Sequence, residues 1–138
     1  KGRGSPVASC DAAPGGKVAV AYPHWVEIYR ARWDDALLAK RFEYAACDNP
    51  APSGGEEDAI NVRAAHVAFV AAHPTSVLYT SSLMREVVLL DYAAAQVTCV
   101  VKLPSPVSAF HMSRDKAFAM CVAAGQVHLL NTLEDIHP

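Results

Sequence analysis

The chain has 138 residues, of which 52% are hydrophobic, and its formal net charge is −2. This is enough for one domain with a real core, and the composition excludes an intrinsically disordered chain. The small net charge gives no electrostatic reason to expect nucleic acid or an anionic membrane as the main partner, and every apolar run is far shorter than a bilayer span.

The cysteines show no close pairing along the chain. Three of the four lie in apolar, strand-like runs, where a thiol serves as a small buried hydrophobe. This usage favours a reducing, intracellular compartment, and we expect a cytoplasmic protein. The chain also opens without a Met, which predicts that it is a piece of a longer protein. The four residues are Cys10, Cys47, Cys99 and Cys121.

The first third of the chain predicts short strands joined by turns. An apolar run follows Ser5-Pro6, the turn-rich stretch 11–16 comes next, and two further apolar runs surround Pro23. The stretch 37–44 predicts a fourth strand, with a short helix over 35–42 as the competing interpretation, because so short a run does not separate the two periods. The predicted strands here are 7–10, 17–22, 26–29 and 37–44.

An insertion over residues 47–60 separates this part from the rest. Its segment 47–58 is polar, acidic and rich in Pro and Gly, so it cannot bury apolar surface. We expect a mobile surface loop.

From residue 62 onward the alternation of strands and turns becomes regular. A turn is expected at 73–76, and others follow each short apolar run. Four short strands in about 40 residues are typical of an all-β protein. The predicted strands are 67–72, 77–81, 87–91, 97–102, 107–111, 117–121 and 126–130.

The second half of the chain is an internal repeat. Residues 67–91 can be laid on residues 107–131 at a spacing of 40 without a gap, so that Leu89 meets Leu129 and Asp91 meets Asn131. Residues 7–30 form a looser copy, because the turn between its second and third strands is about two residues shorter. Self-similarity at this period predicts a repeat architecture, with copies at 7–46, 67–106 and 107–138.

The repeats resemble the WD-repeat β-propeller family. In the middle copy the resemblance rests on Val67, Val70, Pro74, Thr80-Ser81-Ser82 and the run Val87-Val88-Leu89-Leu90-Asp91. In the last copy it rests on Val107, Phe110, Ser113-Arg114-Asp115, Gly125 and the run Val127-His128-Leu129-Leu130-Asn131. The resemblance implies one all-β domain over 1–138, a partial propeller of about three four-stranded antiparallel blades.

The repeats depart from the family at its polar positions. Leu90, Leu130 and Tyr29 stand where the family has Trp, and the family's Gly-His pair is missing. The hydrogen-bond network that joins these residues in the family therefore cannot form, and apolar packing between sheets should hold the blades together. A closed ring needs about four to eight blades, so we expect further blades of the same chain, or another chain, to complete it.

The resemblance implies a non-enzymatic scaffold that binds other proteins of a multi-subunit complex through its rims. Four turn residues are the predicted partner contacts: His24, Trp25, Met84 and Arg85. Loops held on a rigid scaffold usually carry recognition. A cytoskeletal or ciliary complex in the cytoplasm would suit this composition.

Two other functions remain open. The basic and aromatic residues between Arg30 and Tyr44 could bind RNA or join a ribonucleoprotein, although the net charge makes nucleic acid a poor expectation. An enzyme whose active site lies in sequence outside this chain is the third possibility.

No catalytic, metal or cofactor site is predicted within the chain. The six histidines form no ligand cluster, and Gly15-Gly16 lacks the context of a phosphate-binding loop. The stretch Ser113-Arg114-Asp115-Lys116 matches the Ser-x-x-Lys signature of some hydrolases, but it lies in a predicted turn and not at the start of a helix.

Overall fold

A computed structural model describes residues 9–13, 15–32, 35–43 and 65–132, with side chains described at 9–13, 15–30 and 65–132. All regular structure in these ranges is β, as the sequence predicts. The strands are β1 (Ser9–Ala13), β2 (Lys17–Ala21), β3 (Trp25–Arg32), β4 (Asp35–Glu43), β5 (Ala65–Val70), β6 (His73–Ser81), β7 (Glu86–Asp91), β8 (Gln96–Lys102), β9 (Val107–Met112), β10 (Phe118–Ala123) and β11 (Gln126–Asn131).

The strands form three antiparallel sheets in which each strand pairs with the one before it in the chain. The first sheet contains β1–β4, the second contains β5–β8, and the third contains β9–β11. Each sheet is a simple meander, because tight turns join neighbouring antiparallel strands. The three sheets therefore follow one another in sequence order.

The structure resolves one open alternative from the sequence, at β4, and corrects one prediction, at the start of β6. The competing helix over 35–42 does not form, since β4 pairs along its length with β3. The turn expected at 73–76 is also wrong: β6 begins at His73, which pairs with Val70 across a turn of only two residues. Proline is tolerated near the first residue of a strand, so Pro74 does not end β6. The insertion 47–60 lies outside the described residues.

The gapless overlay of the two repeats holds for the third strands only. Leu89 pairs with Leu78 in the second sheet, whereas Leu129 pairs with Met120 in the third. The spacing between equivalent residues is therefore 40 in the third strand (129 − 89) and 42 in the second strand (120 − 78). The cause is a turn between β10 and β11 that is two residues shorter. The first sheet has this shorter turn too, because Ala19 pairs with Ile28.

Two apolar clusters hold the sheets face to face. Tyr79 and Val88 face the first sheet, and Leu78 and Leu89 face the third. Successive side chains of a strand point to opposite faces of its sheet, so the second sheet contributes to both clusters. The first cluster contains Ala19, Ala21, Val26, Ile28, Ala65, Val67, Phe69, Val77, Tyr79, Met84, Val88, Leu90 and Tyr92. The second contains Val70, Leu78, Val87, Leu89, Leu103, Val107, Ala119, Cys121, Ala123 and Leu130.

Candidate functional site

The Asp11 carboxylate joins all three sheets. It lies on β1, accepts a hydrogen bond from the backbone N–H of Phe69 on β5 at 2.8 Å, and pairs with the Lys116 ammonium at 2.9 Å. Lys116 lies in the turn between β9 and β10, and its carbonyl accepts a hydrogen bond from the N–H of Ala71. Sequence reasoning placed Asp11 in a turn and missed this role, because its two partners are 58 and 105 residues away.

A second polar contact between sheets, a pair of hydrogen bonds from Tyr79, holds the turn between β2 and β3. The hydroxyl of Tyr79 donates to the carbonyls of Tyr22 at 2.5 Å and Pro23 at 3.0 Å. This hydroxyl is buried, and burial raises the pKa of Tyr79, so it stays protonated as a donor. The bond therefore holds the β2–β3 turn of the first sheet against the second sheet.

The four predicted partner contacts lie in or beside two equivalent turns. His24 belongs to the β2–β3 connection, and Met84 and Arg85 belong to the β6–β7 connection. Trp25 is not a turn residue as expected, since it is the first residue of β3 and pairs with β4. His24 is exposed and Arg85 is half-buried. Trp25 is only 8% exposed and Met84 2%, which leaves them almost no surface for a partner. The prediction that these turns bind a partner therefore rests on His24 and Arg85.

Packing explains why the two apolar members of that set are buried. The Trp25 ring stacks on Tyr22 with 4.5 Å between ring centroids, and its indole N–H donates to the Glu27 carboxylate at 3.0 Å. Met84 belongs to the cluster between the first and second sheets. Large apolar side chains at or beside a turn gain more free energy from packing on the sheet than from exposure.

Part of the predicted basic patch lines a cleft between the first two sheets. Arg30 is exposed and lies opposite Lys17 in the β2–β3 register. The cleft is about 320 Å³, and its lining also includes Tyr29, Thr75 and Tyr92. The Lys17 ammonium donates to the Tyr92 hydroxyl at 3.3 Å and lies 5.3 Å from the centre of its ring. The side chains of the patch beyond Arg30 lie outside the described residues.

The Ser-x-x-Lys stretch is a turn and not a nucleophile pair. The Ser113 hydroxyl donates to the Asp115 carboxylate at 2.7 Å and accepts from the backbone N–H groups of Ala117 and Phe118. The hydrogen bond from Ser113 holds the pKa of Asp115 below its ordinary value. Lys116 points instead to Asp11, so it is not positioned as the base on the Ser113 hydroxyl that the Ser-x-x-Lys signature requires.

The third sheet exposes an apolar surface on the side away from the second sheet. Val127 and Leu129 on β11 are 66% and 64% exposed, and Phe118 and Met120 on β10 are 40% and 41% exposed. We call these four residues the outer face of the third sheet. On the opposite side of the same strands, alternate residues are buried against the second sheet. This is the largest group of exposed apolar side chains on one surface in the described part of the chain.

In the part of the chain that the structure describes, no three His, Cys, Asp or Glu side chains lie close enough together to hold a metal ion. The same residues contain no helix that is long and apolar enough to span a membrane.

Comparison with known proteins reveals the fold. No protein-family model matches the chain, and neither does any curated protein sequence. Among solved structures, Hsv2 of Kluyveromyces lactis is similar at 12% identity and a TM-score of 0.54, over 92% of this chain and 33% of its own. Kuenenia stuttgartiensis hydrazine synthase is similar at 12% identity and a TM-score of 0.64, over 94% of this chain and 33% of its own.

These neighbours define the class: the chain is all-β and forms a partial β-propeller, as the sequence predicts. Each sheet is accordingly one blade. The chain spans a third of the length of each of these two structures. Membership of the WD-repeat family stays a prediction.

Proposed function

We propose that this chain is a non-enzymatic protein-interaction scaffold, a propeller segment of a larger assembly. The outer face of the third sheet carries the proposal. Val127, Leu129, Phe118 and Met120 form one contiguous apolar surface, since Met120 pairs directly with Leu129 and Phe118 is two residues away on the same side of β10. Contiguous apolar surface of this kind typically marks a protein interface.

The ties between the sheets support the same function. Asp11, Lys116 and Tyr79 link sheets through side chains that are buried or partly buried. A surface held by such links is ordered before a partner arrives, so that binding loses less conformational entropy. Sheets that are linked to one another and carry an exposed apolar surface are suited to a scaffold.

A paired-variant experiment tests this function. The polypeptide that carries this chain is purified with an affinity tag from its own cells, and the mass of its complex is measured by light scattering. The double variant Val127→Ser/Leu129→Ser should weaken association by about tenfold or more, since two exposed aliphatic side chains lose their burial on binding. An unchanged mass would contradict the proposal.

The matched control removes exposed apolar surface elsewhere. Leu83 and Val100 are 37% and 39% exposed, and both lie in the second sheet or its turns. The variant Leu83→Ser/Val100→Ser should leave the complex intact. Circular dichroism of both double variants checks that each retains its strands.

A second candidate function is RNA binding at the cleft between Lys17 and Arg30. Two cations beside Tyr29 and Tyr92 could hold a phosphate and stack a base. Binding to single-stranded RNA should then weaken steeply with salt. The variant Lys17→Gln/Arg30→Gln should lower the slope of log affinity against log salt by about 1.4 (two contacts at about 0.7 each). If the chain does not bind RNA, or if its RNA affinity does not depend on salt, this candidate function is wrong.

A further inference from the structure

In the cleft between the first and second sheets, a row of apolar contacts ends in two cations. Residues that pair across two strands share a face of their sheet, and the β2–β3 register pairs Ala19 with Ile28 and Lys17 with Arg30. Ala19 and Ile28 are 0% and 2% exposed in the cluster shared with the second sheet. Because side chains two residues apart point to the same side of a strand, Lys17 and Arg30 continue this row, and both line the cleft.

The two cations lie directly opposite each other without a neutralising charge. Like charges that face each other on antiparallel strands destabilise a sheet. Among the residues whose side chains are described, neither Lys17 nor Arg30 forms an ion pair, and no carboxylate belongs to the lining of the cleft. Proteins break such a local rule mainly at functional sites, so the pair indicates a site for an anion.

The second sheet holds one of the two cations in place. The Lys17 ammonium donates to the Tyr92 hydroxyl at 3.3 Å and lies 5.3 Å from the centre of its ring. Tyr92 is itself fixed, since it is 6% exposed, packs edge-on against Phe69 and donates to the carbonyl of Pro74 at 2.9 Å. Arg30, in contrast, is exposed. Lys17 is therefore positioned before a ligand arrives, which reduces the entropy lost on binding, and Arg30 can reach the same anion from the solvent side.

The charge of the cleft favours a phosphate monoester. Such a group carries about −1.5 to −2 at pH 7, which matches two cations, whereas an internal phosphate of RNA carries a single negative charge. The planar guanidinium of Arg30 can bind two phosphate oxygens at once, and Lys17 supplies a point charge. The cleft is thus better matched to a terminal phosphate than to a nucleic acid backbone.

The size and the remaining lining of the cleft favour a small apolar group beside the phosphate. Ile28, Ala93 and the ring of Tyr92 supply apolar surface. The volume of about 320 Å³ lies at the lower end of the range of small-molecule pockets, roughly 300–1,000 Å³. The cleft therefore has room for a phosphate and one ring-sized group.

We propose that the cleft between the first two sheets binds a phosphate monoester attached to a ring-sized apolar group, with Lys17 and Arg30 on the phosphate and Tyr92 beside the ring. A free small molecule and a phosphorylated aromatic side chain of a protein both offer this chemistry. The inference is independent of the scaffold function, which rests on the outer face of the third sheet, and it competes with RNA for the same cleft.

Isothermal titration calorimetry on the polypeptide that carries this chain tests the site. The probes are phenyl phosphate, its singly charged diester methyl phenyl phosphate, and single-stranded RNA that ends in hydroxyl groups. Phenyl phosphate should bind about tenfold or more tightly than the diester, because only the monoester has a second negative charge for the second cation. Equal affinities for the two esters, or no binding of phenyl phosphate, would overturn the proposal. Tighter binding of the RNA than of phenyl phosphate would overturn it in favour of the RNA candidate.

Two charge-matched double variants separate the cleft from the overall charge of the protein. Lys17→Gln/Arg30→Gln should weaken the binding of phenyl phosphate by more than about tenfold, and Arg30→Gln alone, at an exposed position, by about tenfold. The control Lys102→Gln/Arg114→Gln also removes one lysine and one arginine, both exposed and outside the lining of the cleft. It should leave the affinity unchanged. An equal loss in the control would show that net charge, and not the cleft, attracts the phosphate.

A peptide that carries one phosphotyrosine between alanines distinguishes the two sources of the ligand. An affinity close to that of phenyl phosphate would show that the cleft admits a phosphorylated protein segment, and a much weaker affinity would restrict the ligand to a free small molecule. The site stands in both cases. Val127→Ser/Leu129→Ser should bind phenyl phosphate as the wild type does, so that the scaffold function and the phosphate site can fail separately.

Discussion

Asp11 and Lys116 form an ion pair across 105 residues of sequence, with 2.9 Å between the carboxylate and the ammonium. The pair joins β1 of the first sheet to the β9–β10 turn of the third, and the same carboxylate accepts the N–H of Phe69 from the second sheet. One side chain on the first strand therefore fixes how three consecutive blades lie relative to one another.

Removing the Lys116 ammonium should lower the free energy of unfolding only slightly, and removing the Asp11 carboxylate should lower it more. The two side chains are 33% and 20% exposed, so solvent weakens the pair. We expect Lys116→Met to lower the free energy of unfolding by about 0.5–1 kcal/mol. Asp11→Ala should cost about 2 kcal/mol, because it also leaves the Phe69 N–H without its acceptor. Urea denaturation followed by circular dichroism measures both.

The control for this pair is Lys102→Met, which removes an exposed lysine from β8. It should leave the free energy of unfolding within about 0.5 kcal/mol of wild type. If Asp11→Ala were no more harmful than Lys102→Met, Asp11 would not be the link between blades that its geometry indicates.

Loss of the Tyr79 hydroxyl should destabilise the protein through the β2–β3 turn. Its two acceptors are the carbonyls of Tyr22 and Pro23, and all three groups are buried. Tyr79→Phe keeps the ring in place, so the expected loss of about 1–2 kcal/mol reports the hydrogen bonds alone.

A matched control exists for that change on the third sheet. The Ser108 hydroxyl donates to the carbonyl of Val122 at 3.2 Å, but at an exposed position where water can replace it. Ser108→Ala should therefore change the free energy of unfolding by less than about 0.5 kcal/mol. Equal effects of Tyr79→Phe and Ser108→Ala would contradict the importance of burial at Tyr79.

A substitution at Ala124, in the turn between β10 and β11, should stabilise the protein. Ala124 and Gly125 both have positive φ, 53° and 72°, and together they form a two-residue hairpin turn. Such turns favour Asn-Gly, because Asn tolerates the left-handed conformation that costs other residues about 1–2 kcal/mol.

Ala124→Asn should accordingly raise the free energy of unfolding by about 0.5–1 kcal/mol. Ala94→Asn is the control, since Ala94 is exposed in a turn without positive φ. A gain at both positions, or at neither, would show that backbone conformation at Ala124 is not the cause.

Alkaline pH should destabilise the first sheet through Tyr29. The Tyr29 hydroxyl donates to Glu27 at 2.8 Å, and this hydrogen bond, with burial and the negative charge of Glu27, raises the pKa of Tyr29 from 10.0 to about 12. Tyrosine loses its proton more readily in the unfolded chain. The stabilisation is therefore complete below pH 10 and is lost as the pH rises toward about 12.

Glu27→Gln should return the pKa of Tyr29 toward its ordinary value, because the amide keeps an acceptor but removes the charge. Absorbance at the tyrosinate band, measured as a difference from Tyr29→Phe, follows this titration. An unchanged pKa of Tyr29 in Glu27→Gln would mean that the hydrogen bond and burial, and not the charge of Glu27, dominate.

Much of the fold could be predicted from local patterns. The strands around Leu89 and Leu129 were found from apolar runs bounded by turn residues, and their common spacing indicated repeated sheets. The register within the sheets could not be found in this way. A two-residue change in one turn placed Met120, and not Phe118, opposite Leu129 of the third strand. The gapless overlay concealed this change, because compensating changes in turn length leave the total spacing unchanged.

The candidate site was predicted less well than the fold. Trp25 and Met84 were chosen because they were predicted to lie in turns. Trp25 instead begins β3, and the side chain of Met84 packs onto the core from its turn, so both are buried. The outer face of the third sheet was missed for the opposite reason. In sequence, Val127 and Leu129 look the same as Val87 and Leu89, and only the position of the neighbouring sheet makes one pair core and the other surface.

The sequence by itself determined that this is a β protein of repeated short strands, because strand period, turn residues and internal spacing are local properties of the chain. Only the tertiary structure decided which residues join the blades and which apolar side chains are exposed among the described residues. Asp11 contacts Lys116, while Leu129 is 64% exposed. Contact between residues far apart in sequence depends on how the sheets stack, and a one-dimensional pattern does not contain that information.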